Sequence, residues 1–179
     1  MAAGKPRGAS GVDQYTGRAG GAGRHRHERT SFEGKWFLPL SDPAAIKALL
    51  EETRTIAMIG ASDRPNRPSY GVMARLQQHG YRVIPVNPQI AGEHIHGEYV
   101  FHDLAQIGEP IDLVDIFRRS DVAGEAVDAA IASGAKAVWL QLDVIDEAAA
   151  ARAEAAGLKV VMDRCPAIEI PRLGVAPIK

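Results

Sequence analysis

From Thr55 onward, apolar runs alternate with amphipathic segments. The runs "TIAMIG" (55–60), "RVIPVN" (82–87), "IDLVDIF" (111–117), "KAVWLQL" (136–142) and "LKVVMD" (158–163) read as strands, and "EYVF" (98–101) as a short, weaker one. Between them, "SYGVMARLQQHG" (69–80), "DLAQIG" (103–108), "DVAGEAVDAAIASG" (121–134) and "DEAAAARAEAAG" (146–157) read as helices. Three of these stop at a glycine before a strand, Gly80, Gly134 and Gly157, as a left-handed helix terminus requires. Upstream, "SDPAAIKALLEE" predicts a helix from about Asp42 to Glu52. Ser41 or Asp42 serves as N-cap, Pro43 suits the first helical position, and Ile46, Leu49 and Leu50 form one apolar stripe.

The strands are continuously apolar rather than alternating, which fits a parallel sheet covered on both faces. Strand–helix alternation then predicts an α/β fold: a Rossmann-like, doubly wound, mainly parallel sheet flanked by helices, in a single domain over residues 36–179. Residues 1–35 are rich in Gly, Ala, Arg and His and show no apolar period. Such a segment buries too little surface to offset its ordering entropy and is expected to be a disordered tail.

Composition narrows the partners. The 179 residues are 46% hydrophobic and 24% charged, with a formal net charge of -1. That balance gives no electrostatic reason to expect nucleic acid or an anionic membrane. No stretch approaches the roughly 18 apolar residues of a membrane span. The single cysteine, Cys165, excludes an intramolecular disulfide and fits a reducing compartment, so a cytoplasmic protein is expected. Homodimerisation is compatible with the sequence, which singles out no face for it.

Doubly wound sheets bind ligands beyond the carboxyl ends of their strands. The first strand ends in "GASDRPNRPSYG" (60–71). Gly60, Ala61 and Ser62 are small enough for close backbone approach, and Ser69 and Tyr70 open a helix whose free N–H groups favour an anion. Arg64 and Arg67 add positive charge suited to phosphate. The spacing departs from G-x-G-x-x-G, and the second strand ends in Asn87-Pro88 where dinucleotide-binding domains place an acid. Both points argue against NAD. Asn87 is a candidate for an adenine or ribose edge, and Asn-Pro is also an ordinary turn initiator. "DIFRRSD" (115–121) supplies Phe117 for stacking, Arg118 and Arg119 for phosphate, and Ser120 or Asp121 as an N-cap. Gln141, Asp143, Asp163, Arg164 and Cys165 lie at the same rim, while Trp139, in mid-strand, reads as core. His94, His96 and His102 fall in a loop-like stretch without a metal-ligand spacing, so no metal is expected. Residue chemistry thus points to a phosphorylated ligand without choosing among such ligands.

The ordered series "IAMIGASDRPNRPSYGVMARLQQHGYRVIPVNP", "DLVDIFRRS", "KAVWLQL" and "GLKVVMDRCPAIE" resembles the small stand-alone CoA-binding proteins, which are similar to the N-terminal CoA-binding domain of the succinyl-CoA synthetase alpha subunit. The resemblance runs from about Leu40 to Leu173 and implies coenzyme A or an acyl-CoA as ligand. It places the CoA diphosphate near Gly60, Ala61, Ser62, Arg67, Ser69 and Tyr70, the nucleotide along Asn87 and Pro88, and Phe117 and Arg118 over it. Gln141 and Cys165 are family-typical and complete the candidate site. Family members commonly carry glycine where this chain has Asp143, a carboxylate placed to crowd or repel an acyl group. The synthetases also need a phosphorylated histidine in a second domain and an ATP-grasp subunit. The expectation is therefore a CoA-binding module with no catalysis of its own. The alternatives are a thiol or redox protein using Cys165, and an NAD(P)-sensing domain.

Overall fold

The computed structural model describes residues 39–179, together with the backbone of a short antiparallel pair, β1 (Ser31–Phe32) and β2 (Lys35–Trp36). Apart from that pair, the tail expected over residues 1–35 lies outside the described residues. Helix α1 (Pro43–Glu52) begins as its sequence directs: the Asp42 carboxylate accepts from Ala45 N–H at 2.9 Å, and Pro43 takes the first helical position. The chain continues through β3 (Thr55–Ile59), α2 (Pro68–Gln78), β4 (Arg82–Val86) and a small hairpin, β5 (His94–Ile95) and β6 (Glu98–Tyr99). It ends with β7 (Leu113–Ile116), α3 (Ser120–Ala132), β8 (Ala137–Leu140), α4 (Glu147–Ala155), β9 (Lys159–Val161) and α5 (Pro166–Leu173).

The main sheet has five strands in the order β4-β3-β7-β8-β9, every pair parallel. The order reverses at β3: the chain steps from β3 to β4 on one side, then returns to β7 on the other. That makes the gap above β3 and β7 the switch point where such sheets take ligands.

Side-chain alternation along the buried strands builds two cores. Ile56, Met58, Leu113, Trp139 and Val161 face α1, α2 and α5, with Ile46, Leu50, Met73, Leu76 and Ile170 packed on them. Ala57, Val114, Ile116, Val138 and Leu140 face α3 and α4. These two helices present mostly alanine, including Ala123, Ala130, Ala149 and Ala153, and so lie close to the sheet. Gly80, Gly134 and Gly157 follow their helix C-caps with φ of 103°, 73° and 91°, the left-handed geometry expected from the sequence.

Three segments differ from expectation. "DLAQIG" makes only a 3-10 turn, Leu104–Gln106, started by Asp103 accepting from Gln106 N–H at 3.2 Å; the five residues before Gly108, with Pro110 close behind, do not repay helix nucleation. "EYVF" does not become a sixth full strand. Its Phe101 forms one parallel bridge to Val86, donating to Pro85 O and accepting from Asn87 N–H, both at 2.9 Å. Helix α5 was not expected, because Pro171 interrupts its pattern. The two sheet edges are thus partly covered: Phe101 sits beside β4, and Leu40 N–H donates to Val160 O of β9 at 2.6 Å. Among the described residues no helix is long and apolar enough to cross a membrane.

Candidate functional site

Three strand ends converge on Gly60. Its N–H donates to Val86 O at 3.0 Å, and next to it Phe117 N–H donates to Ile59 O at 2.9 Å. Gly60 has φ of 79°, and a Cβ there would fall 2.2 Å from Phe117 O. Glycine is therefore what allows the ends of β3 and β7 to close on one another.

The loop beyond Gly60 is a built turn. Arg64 N–H donates to the Ser62 hydroxyl at 3.2 Å, and Arg67 N–H donates to Arg64 O at 3.0 Å. Arg67 is the N-cap of α2, Pro68 takes the first helical position, and no side chain caps the helix. The buried Ser69 follows in the first turn. A helix N-terminus left without a side-chain cap is a ready anion site.

Above the switch point lies a cavity of about 730 Å³. Arg64, Arg67 and Arg118 line it, and among the described residues none of the three is paired with a carboxylate. Arg119 lines it too but is held by Asp121 at 3.0 Å. The acids in the lining are Asp63 and Asp143. Toward β4 the wall is formed by Asn87, Gln89 and Ile90; at the end of β7 it is formed by Phe117, and toward β8 and β9 by Gln141, Leu142, Val144 and Cys165.

The structure brings Gly60, Ser62, Arg67, Ser69, Asn87, Phe117, Arg118, Gln141 and Cys165 together around this cavity. Ala61, Tyr70 and Pro88 are not among its lining residues. Ala61 is buried, and its carbonyl accepts from Asn87 Nδ2 at 2.8 Å. Tyr70 packs on the His96 ring, centroids 4.1 Å apart, and its carbonyl lies 2.9 Å from His96 Nε2. Pro88 opens a 3-10 turn. Asn87 borders the cavity, yet both ends of its amide are engaged by the chain, Nδ2 by Ala61 O and Oδ1 by Gln89 N–H at 3.0 Å. The bond to Ala61 ties the ends of β3 and β4 together. Val72, Gln89, Ile90, Leu142 and Val144 were not foreseen; Val72 was legible as one helical turn beyond Ser69.

Two ionisable groups, Cys165 in the lining and Asp115 beneath Gln141, have displaced pKa values. Asp115, in the middle of β7, is fully buried, and burial pushes its carboxyl up to about 7. Gln141 Nε2 donates to Asp115 Oδ1 at 2.7 Å, which opposes the rise, and Oδ2 has no partner among the described residues. Cys165 is the N-cap of α5, and burial pushes its thiol up, against the pull of the Ala167 and Ile168 N–H groups. At the rim, Asp143 adopts φ of 64°, with its N–H donating to Asp163 Oδ1 at 2.8 Å and its carbonyl accepting from the Ser120 hydroxyl at 3.1 Å. The three histidines go separate ways: His94 to Tyr99, His96 to Tyr70 and His102 to Asp103. Among the described residues no cluster of three His, Cys, Asp or Glu side chains is placed to hold a metal ion.

Several known proteins are similar to this chain in sequence and fold. Protein YneT of Bacillus subtilis (strain 168) is 36% identical over 122 residues, 68% of this chain and 89% of YneT. A structure from Thermus thermophilus superposes with a TM-score of 0.71 at 35% identity, covering 74% of this chain and 98% of its own. One from Pyrococcus horikoshii OT3 gives 0.71 at 35% identity, covering 78% and 98%. The sequence profile of the CoA binding domain matches residues 54–171, from the residue before β3 to the sixth residue of α5. This chain belongs to the CoA-binding domain family.

Proposed function

We propose that this protein binds coenzyme A, or an acyl-CoA, in the cavity at the switch point and performs no chemistry of its own on it. The observation that carries the reading is the set of unpaired guanidinium groups, Arg64, Arg67 and Arg118, gathered with the open N-terminus of α2 around one cavity. Three cations, none of them paired with a carboxylate among the described residues, outnumber the two acids of the lining, Asp63 and Asp143, and favour an anion. The CoA diphosphate meets the Gly60–Gly71 loop and the first turn of α2. The adenosine end lies toward Gln89 and Ile90, and the pantetheine arm runs along the more apolar wall of Phe117, Leu142 and Val144. The cavity, about 730 Å³, is within the usual size of a small-molecule site.

The lining of the cavity speaks against catalysis. It contains no histidine to carry a phosphoryl group, and burial disfavours the Cys165 thiolate that disulfide exchange needs. A reducing cytoplasmic setting fits a ligand with a free thiol. The experiment is calorimetric titration with CoA, 3′-dephospho-CoA, acetyl-CoA, NAD and NADP. CoA should bind, and Arg67→Ala should weaken it about tenfold or more, the worth of one charge-assisted contact. Binding of NAD in preference to CoA would overturn the reading.

A further inference from the structure

Asp115 is the only acid within a strand of the main sheet. Its neighbours in register are Met58 on β3 and Trp139 on β8, both fully buried. A carboxyl in a hydrocarbon layer is costly, and an apolar residue of similar size would serve packing better. What the carboxyl does hold is Gln141, whose Nε2 donates to Asp115 Oδ1 at 2.7 Å. Gln141 is only 6% exposed and borders the cavity. With the amide nitrogen drawn to Asp115, Oε1 is the end left over, and none of the described residues donates to it. When Asp115 is ionised its carboxylate can only accept, so the floor carries a fixed, unused acceptor, Gln141 Oε1, at the end of the cavity away from Gln89 and Ile90.

Resting on the CoA reading above, we propose that Gln141 accepts the hydrogen bond of the ligand's thiol, with Asp115 as its positioning residue, so that the pocket selects free CoA over its thioesters. A thiol has an S–H to donate. A thioester has none, and its carbonyl oxygen sets an acceptor against the Gln141 acceptor. An acceptor that the bound arm shuts off from water without giving it a donor costs binding free energy.

The test is calorimetry of the full chain at about pH 8.5, where Asp115 is ionised, with four ligands: CoA, acetyl-CoA, desulfo-CoA and adenosine 3′,5′-bisphosphate, the last lacking pantetheine. The wild-type protein should bind CoA about tenfold tighter than acetyl-CoA, and tighter than desulfo-CoA. Gln141→Met keeps the volume and removes the acceptor, and should bring both ratios near one. Asp115→Asn keeps the shape but offers Gln141 a donor as well as an acceptor, which frees the amide to reverse and should narrow the ratios too. Adenosine 3′,5′-bisphosphate should bind all three proteins alike, a result that a general disturbance of the fold would not give. Equal wild-type affinity for CoA and acetyl-CoA, or ratios that survive both variants, would overturn the proposal and leave CoA binding standing. Failure of the wild-type protein to bind any CoA ligand would overturn both.

Discussion

Replacing Asp115 by Asn should make the protein more stable, and by an amount that depends on pH. The carboxyl has an ordinary value of 3.8 and is pushed up to about 7 in the fold by burial. Below pH 4 it is protonated in folded and unfolded chains alike and contributes no pH-dependent cost. Between pH 4 and 7 the unfolded chain releases the proton and the folded chain retains it, so stability falls as pH rises. Above pH 7 both forms are ionised and the cost is constant. At 1.36 kcal/mol per pH unit, the interval corresponds to about 4 kcal/mol. Asn has no proton to lose and can still accept from Gln141. Every other titrating group is common to the two proteins, so the difference in unfolding free energy isolates this site. Urea denaturation at constant ionic strength, from pH 4 to 8, should show the variant gaining about 4 kcal/mol on the wild-type protein by pH 7 and then levelling off. A difference that is flat with pH, or one that shrinks as pH rises, would refute the argument.

Gly60→Ala should destabilise by about 3 kcal/mol, combining the left-handed backbone cost with a methyl 2.2 Å from Phe117 O, and should abolish CoA binding; urea midpoints and calorimetry would show both. Asp143→Gly should stabilise by about 1 kcal/mol, because φ of 64° costs an L-residue and not glycine. Thermal denaturation would measure the gain, and a loss instead would mean that the Asp143 carboxylate supports its loop.

The parts of this fold that were legible are those in which one physical demand dominates. A strand covered on both faces is apolar nearly throughout, so β3, β4, β7, β8 and β9 announce themselves, and so does the N-cap Asp42, whose carboxylate accepts from the first helical turn; α3 is capped by neither Ser120 nor Asp121, since Arg119 takes its N-cap position and the helix has no side-chain cap. Helix α5 was obscured because its pattern contains Pro171 and a buried acid, Glu169, which pairs with Arg164 and Arg172. Within the site, the strand-end rule located the cavity but not the direction of each side chain. Ser69 and Val72 share the helix face toward the cavity, while Tyr70 turns to His96. Asn87 had the chemistry of a ligand contact, yet the chain uses both ends of its amide. Asp115 was passed over inside a run read as continuously apolar, and its partner lies 26 positions away on the next strand, where only the register brings Gln141 to it.

The switch point at β3 also bears on how the protein folds and holds together. Gly60 and the Arg64–Arg67 turn follow β3, whereas Phe117 and Arg118 follow β7, which reaches β3 only by closing a long stretch of chain; Asp112 Oδ2 accepts from Arg54 and Thr55 N–H groups 58 and 57 residues away. A nascent chain that has formed β3, α2 and β4 therefore owns half a binding site, and a nick between β4 and β7 would separate the halves. Ligand affinity is in that sense a reporter of the complete sheet. It also works in reverse: a ligand at a hundred times its Kd adds about 2.7 kcal/mol against global opening. Protection from proteolysis by the bound ligand should consequently extend to strands on both sides of β3, well beyond the residues it touches.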